Sequence, residues 1–103
     1  EFPGGKLENT ETFEEAMARE LYEELGININ IKNLKSLDIL NHSHDKKNHI
    51  IINLFCLHKW SGKIKNKDTK EFLWINKTGP FPNKFLVGSL LILKRLKNRY
   101  YKL

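Results

Sequence analysis

Cysteine occurs once in this sequence, at position 56. A lone thiol excludes an internal disulfide framework and any zinc site built from several thiolates, and it suits a reducing compartment. Arginine is nearly as scarce, with three residues against fifteen lysines. Surfaces that read nucleic acid usually draw on arginine, whose planar fork matches phosphates and base edges. Direct nucleic-acid contact is therefore not expected. The longest strongly apolar runs, 50–57 and 85–93, fall well short of the roughly 20 residues of a membrane-spanning helix. No signal-peptide pattern or internal repeat is present, and the first residue is Glu1 and not methionine. These absences lead us to expect one domain over residues 1–103, cytoplasmic and clear of membranes. The chain is 40% hydrophobic and 11% aromatic, enough for a core, which excludes a wholly disordered protein.

What the sequence does have is charge, unevenly laid out. The net charge is +6. Residues 1–26 carry eight acids and two bases, or −6, while the other 77 residues carry four acids and sixteen bases, or +12. Lysine, asparagine and isoleucine, all with AT-rich codons, fill 36 of the 103 positions. A base-composition bias accounts for the basicity as well as an anionic partner does.

Residues 1–11, with Pro3, Gly4 and Gly5, read as a loop. Thr12 with Glu15 three places on is a capping box, which starts a helix. From about Phe13 to Leu25 the residues are good helix formers, and Gly26 can take the left-handed conformation that ends the helix. Ile27, Ile29 and Ile31 alternate with asparagines, as a short strand or extended connection. Asn33–Leu40 and His49–Trp60 are β-prone, with the polar segment Asn41–Asn48 as the hairpin turn between them. Ser61-Gly62 breaks the chain. Lys63–Lys70 is a charged loop, Glu71–Asn76 a short strand and Thr78–Asn83 a loop. Phe85 to about Tyr100 reads as a helix with a basic end, as its dipole favours.

Chemistry concentrates on the first helix. At 100° per residue, Glu20, Glu23 and Glu24 fall within an arc of about 100°. Like charges one turn apart repel by about 0.2–0.5 kcal/mol. A hard divalent cation with oxygen ligands would remove that cost, whereas a solvated acidic face simply bears it. Arg19 has Glu15 and Glu23 one turn away on either side as pairing partners.

The surrounding stretch is more specific than the acids alone. Gly5, five residues, Glu11, seven residues, and then Arg19-Glu20-Leu21-Tyr22-Glu23-Glu24-Leu25-Gly26-Ile27 satisfy every specified position of G-x5-E-x7-R-E-U-x-E-E-x-G-U, with U aliphatic. This is the Nudix box, and the chain resembles the Nudix hydrolases. The preceding Glu1-Phe-Pro-Gly-Gly-Lys-Leu-Glu8 is similar to the E-F-P-G-G-K-I-E run of the MutT-type members, which hydrolyse 8-oxo-dGTP.

The resemblance implies an α/β Nudix fold, a mixed β-sheet sandwiched between helices. It implies a monomeric pyrophosphohydrolase that converts 8-oxo-dGTP to 8-oxo-dGMP and pyrophosphate, keeping the oxidised base out of DNA. The implied cofactor is Mg²⁺, with Mn²⁺ as a substitute. Glu23 and Glu24 stand where the family has metal ligands. Glu20 stands as a ligand or as the base that activates water, and Gly5 as the loop carbonyl that reaches the metal. Arg19 stands where the family orients a neighbouring glutamate, and Glu11 is expected to tether the loop to the helix.

Many members add a carboxylate from a distant loop, in a setting resembling E-G-Q-x-x-x-W. The counterpart is Asp68-Thr-Lys-Glu71-Phe-Leu-Trp74, with Trp60 eight residues upstream of Asp68. Asp68 is the expected ligand or base. Aspartate is one methylene shorter than glutamate, which makes Glu71 the fallback; a solvated charged loop is the competing reading. Phe81-Pro82-Asn83 looks like a shortened form of the F-P-x-A-N that precedes the last helix. There the Asn83 amide, donor and acceptor at once, suits the oxidised guanine edge, although Pro-Asn also serves as a plain capping loop. Phe2 is expected against the purine or in the core. His42, His44, His49 and His58 include a His-x-His spacing that zinc can use, but their turn-like setting favours a solvated polar loop. Cys56 reads as a packed thiol.

Nudix domains normally carry the first strands of the sheet ahead of the box, and this chain opens almost at it. A fold short of those strands is the expectation. Thr10 stands where close relatives often have glycine. Two rival functions remain. One is hydrolysis of another nucleoside diphosphate derivative; the other is a basic nucleic-acid-binding module that keeps the box only as structure.

Overall fold

The computed structural model describes residues 2–43, 45–65, 74–75 and 87–99. Contacts group the chain into two units, Pro3–Phe72 and Glu1–Phe2 with Leu73–Leu103.

In the first unit, helix α1 spans Phe13–Leu25. Both halves of its capping box are formed. The Thr12 hydroxyl accepts from the Glu15 amide at 3.1 Å, and the Glu15 carboxylate accepts from the Thr12 amide at 2.9 Å. At the other end Gly26 sits at φ 71°, and its N–H donates to the Tyr22 carbonyl at 3.0 Å. Ala16, Leu21 and, just past the helix, Ile27 are buried.

The isoleucine–asparagine alternation does not become a strand. Asn28 makes an isolated antiparallel bridge with Ser61, through mutual backbone bonds of 3.0 and 2.8 Å. The Asn30 side chain then accepts from the Lys32 amide at 3.0 Å and caps a 3₁₀ turn, Ile31–Asn33. A short amide side chain that captures backbone N–H groups competes with ladder pairing, and here it wins.

Strands β1 (Leu34–Ser43) and β2 (His49–Leu57) form an antiparallel hairpin. The sequence reading ended the first strand at Leu40, but the ladder continues: Asn41, His42 and Ser43 pair with Ile51, Ile50 and His49. Side chains explain the extension. The His49 ring lies 2.8 Å from Ser43 Oγ and 3.0 Å from Asn41 Oδ1. Asp45 Oδ1 then closes the turn by accepting from the amides of Lys47 and Asn48 at 2.7 and 2.8 Å. At its far end β2 stops at Leu57, short of the expected Trp60.

An irregularity between Ser36 and Asp38 leaves Leu37 as an extra residue on β1. Such a bulge shifts the alternation. Beyond it Asp38, Leu40 and His42 pair with Leu54, Ile52 and Ile50, and Leu40 is 0% exposed. The other face leaves Ile39 and Ile51 exposed.

In the second unit, helix α2 covers Val87–Arg99, with Lys97 and Arg99 in its last turn. Ser89, Ile92, Leu93 and Leu96 are buried, a stripe at helical spacing. Trp74 and Ile75, expected in a short strand, have no regular structure. Among the described residues the sheet is the antiparallel pair alone, and no helix is long and apolar enough to cross a membrane.

Candidate active site

Arg19 is the hub of the box. Its guanidinium has five N–H donors, and each finds an acceptor. Nε and Nη2 hold Glu11 bidentately at 2.8 and 3.0 Å, and Nη2 also reaches the Lys6 carbonyl at 2.9 Å. Nη1 donates to Glu20 Oε1 at 2.9 Å and to Glu23 Oε2 at 3.4 Å. Glu8 adds a fourth carboxylate, 3.5 Å from Nη1. Of the two helix partners open to Arg19 in the sequence, Glu23 is used, while Glu15 serves the cap.

The loop is tied to the helix through Arg19 and Glu24 and is also braced within itself. Besides Arg19, Glu11 Oε1 accepts from the Glu8 amide at 2.8 Å across a turn closed by the Glu11 N–H and the Glu8 carbonyl at 3.1 Å. Glu11 thus tethers the loop, as expected. The Gly4 N–H donates to Glu24 Oε2 at 3.0 Å. Gly5 lies against Glu20 so closely that a Cβ built there would stand 2.6 Å from the Glu20 carboxyl carbon. A side chain there would have to push the Glu20 carboxylate aside, whereas glycine lets the loop backbone meet it directly.

The electrostatics follow from these bonds. The Arg19 side chain, above all, and the Glu8 amide hold the Glu11 carboxyl below its ordinary range. Its bond to Glu11 raises the Arg19 guanidinium further, against the opposing effect of desolvation. One cation therefore offsets the repulsion between Glu20 and Glu23 that the helix geometry imposes.

Glu20, Glu23, Glu24 and Gly5 lie on one loop–helix element. Even so, no three carboxylate, imidazole or thiol groups among the described residues are gathered as closely as a metal ion would need. Asp68, Glu71 and the Phe81-Pro82-Asn83 segment lie outside the described residues. Phe2 is half-buried and belongs to the other unit. Of the histidines, His42 sits in β1 and not in the expected turn, while His49 opens β2 as its β-prone run predicts. His58 lies 3.2 Å from the half-buried thiol of Cys56, and His44 is outside the described residues. The sequence reading missed the Gly4 amide, the Lys6 carbonyl and Glu8. A backbone group carries no side-chain signal, and Glu8 lies between the specified positions of the motif.

The Nudix domain model matches residues 1–78. The chain belongs to the Nudix domain family. It is 42% identical over 67 residues to a protein of Proteus vulgaris named 8-oxo-dGTP diphosphatase, a stretch covering 65% of this chain and 57% of that protein. The chain thus spans less than two thirds of that relative. An Escherichia coli (strain K12) protein of the same name is 30% identical over 97 residues, covering 94% of this chain and 73% of its own. In fold, the chain is similar to a MutT Nudix hydrolase from Burkholderia pseudomallei, with a TM-score of 0.76 and 23% identity over 91% of this chain and 74% of that one. The α/β Nudix fold expected from the sequence is the fold found.

Proposed function

We propose that residues 1–103 act as one Nudix domain that hydrolyses a nucleoside triphosphate to the monophosphate and pyrophosphate, with 8-oxo-dGTP as substrate. The observation that carries this reading is the loop–helix itself. Arg19 spends every donor on the loop and on two glutamates, and Gly4 and Gly5 press the loop backbone against Glu24 and Glu20. So much side-chain bonding, spent on holding acids together, is not what a solvated face requires. Two relatives named for this activity support the choice of substrate.

Nudix hydrolases generally use divalent metal ions, and the donor types here suit Mg²⁺ or Mn²⁺, although no three of the described acids are gathered as closely as a bound ion would draw them. The donors are hard oxygens, and a carboxylate that accepts one bond from Arg19 or Gly4 retains further lone pairs. The Gly5 backbone lies where a Cβ would crowd the Glu20 carboxyl. Glu20, Glu23, Glu24 and the Gly5 carbonyl would hold the ion, with Asp68 as a further donor. When bound, it neutralises charge on the polyphosphate and polarises it toward attack by water. Glu20, or Asp68, takes the proton from the attacking water, and the phosphorus–oxygen bond to the pyrophosphate group breaks. Arg19 positions Glu20 and Glu23. Asn83 and Phe2 contact the base.

Turnover of a nucleotide panel with Mg²⁺ tests the reading. Cleavage of 8-oxo-dGTP should outpace that of dGTP and of nucleotide sugars, and Glu24→Gln should abolish most of it. Faster cleavage of another nucleoside diphosphate derivative would reassign the substrate, and full activity in Glu24→Gln would remove the metal site.

A further inference from the structure

A concave site lies outside the carboxylate cluster. Just beyond the end of α1 a cleft of about 740 Å³ is lined by Asn28, Asn30, Ile31, Asn33, Lys59 and Trp60, among others, and by no acid among the described residues. Its volume is within the range of small-molecule sites, roughly 300–1,000 Å³. Its walls are held by backbone bonds: the Asn28–Ser61 bridge on one side and the 3₁₀ turn capped by Asn30 on the other. Two of its apolar residues, Ile31 and Trp60, are each 43% exposed.

The chemistry of this lining is selective. Among the described residues lining the cleft Lys59 is the one charged group, and an ammonium so placed favours an anion. The sequence around the cleft agrees, since residues 26–65 hold seven lysines and two acids. An exposed indole offers a stacking surface for a planar ring. Amide side chains donate and accept together, which matches the edge of a base. A phosphate held by one lysine needs only a point charge, so the scarcity of arginine does not count against it.

We propose that this cleft binds a nucleotide unit, with the base against Trp60, the amides of Asn28 and Asn33 at its edge and the phosphate on Lys59. The unit is supplied either as a free nucleotide or within a single strand. The proposal is independent of the hydrolase reading, because none of the box residues lines the cleft.

The chain has two tryptophans, and Trp74 is well exposed, so Trp74→Phe leaves Trp60 as the sole indole. That variant is titrated, without divalent metal and at low and high salt, with AMP and with a single-stranded oligomer of eight deoxyadenylates. Saturable quenching of Trp60 emission is expected, weakened about fivefold or more by Lys59→Gln, a surface change that leaves the fold in place. Saturation by AMP identifies the free nucleotide as the source. Saturation by the oligomer alone, with a steep loss at high salt, identifies a single strand. No saturable quenching by either probe overturns the proposal. Quenching unaffected by Lys59→Gln overturns it as well, and quenching abolished by Glu23→Gln assigns the binding to the carboxylates instead.

Discussion

The loop–helix of residues 3–26 and the β1–β2 hairpin belong to the same unit, yet different kinds of bond hold them. The loop–helix depends on side chains in fixed places. Glu11 and Arg19 form a two-pronged pair, Glu15 and Thr12 a reciprocal cap, and Gly5 makes room for Glu20. The hairpin depends on a backbone ladder, which tolerates a bulge at Leu37 and leaves Ile39 and Ile51 exposed. A ladder asks only for a pattern, whereas a network of carboxylates around one guanidinium asks for particular residues. The first arrangement can hold chemistry in place, and the second supplies a support.

If that division is right, damage to the two regions should separate in opposite ways. Leu40→Ala, at the fully buried position of the hairpin, should cost about 2–5 kcal/mol of stability, read by chemical denaturation. Turnover per folded molecule should stay near the parent value. Arg19→Lys should do the reverse. Lysine keeps the charge but loses the fork, so Glu11, Glu20 and Glu23 are no longer held together. Turnover should fall by about 10–100-fold, the loss typical where a residue that orients metal ligands is replaced, while stability falls only by the weakened pairing with Glu11. A Leu40→Ala variant that is stable but slow would break the comparison.

The same division explains what was legible in the sequence. The helix Phe13–Leu25 and its cap could be read residue by residue, because each signal is local: a hydroxyl, a glutamate three places on, a terminal glycine. The box was legible because particular residues, from Gly5 to Ile27, stand at set spacings. The hairpin was legible only as a pattern. Its first strand runs to Ser43 because His49 bonds across to Asn41 and Ser43, and its bulge at Leu37 has no composition signal. Ile27 to Ile31 read as a short strand or an extended connection, because alternation does not reveal which asparagine will capture a backbone amide. The bonds of Glu24 to Gly4 and of Arg19 to Lys6 involve backbone groups, and no sequence pattern marks them.

Acid offers a finer separation. The Glu11 carboxyl is held below its ordinary value of 4.5, first by Arg19 and then by the Glu8 amide. A depressed carboxyl contributes stability that is fully present above its unfolded value and is lost as pH falls through its folded one. Relative to Glu11→Gln, the parent should therefore gain stability above about pH 4.5. That difference should shrink progressively as the pH falls further. Denaturation of both proteins across pH 2–7 measures it. A difference that does not vary with pH would mean that Glu11 acts by packing and not by charge.

The smallest effect tests whether the loop is as exacting as the helix. Thr10 sits at φ 68° in the turn closed by Glu8 and Glu11, and it is the one described non-glycine residue at positive φ. For a residue with a Cβ the left-handed conformation costs roughly 1–2 kcal/mol, and branching at that carbon does not help. Thr10 is exposed, so replacing it removes no buried contact. Glycine relieves the strain but adds about 0.5–1 kcal/mol of unfolded-chain entropy. Thr10→Gly should therefore stabilise the protein by about 0.5–1 kcal/mol, seen as a rise in Tm, with turnover unchanged. Lower stability would show that the threonine side chain contributes more to the turn than its backbone strain takes away. A change in turnover would show that the turn controls where Glu11 and Arg19 stand, which would extend the exacting region from the helix into the whole loop.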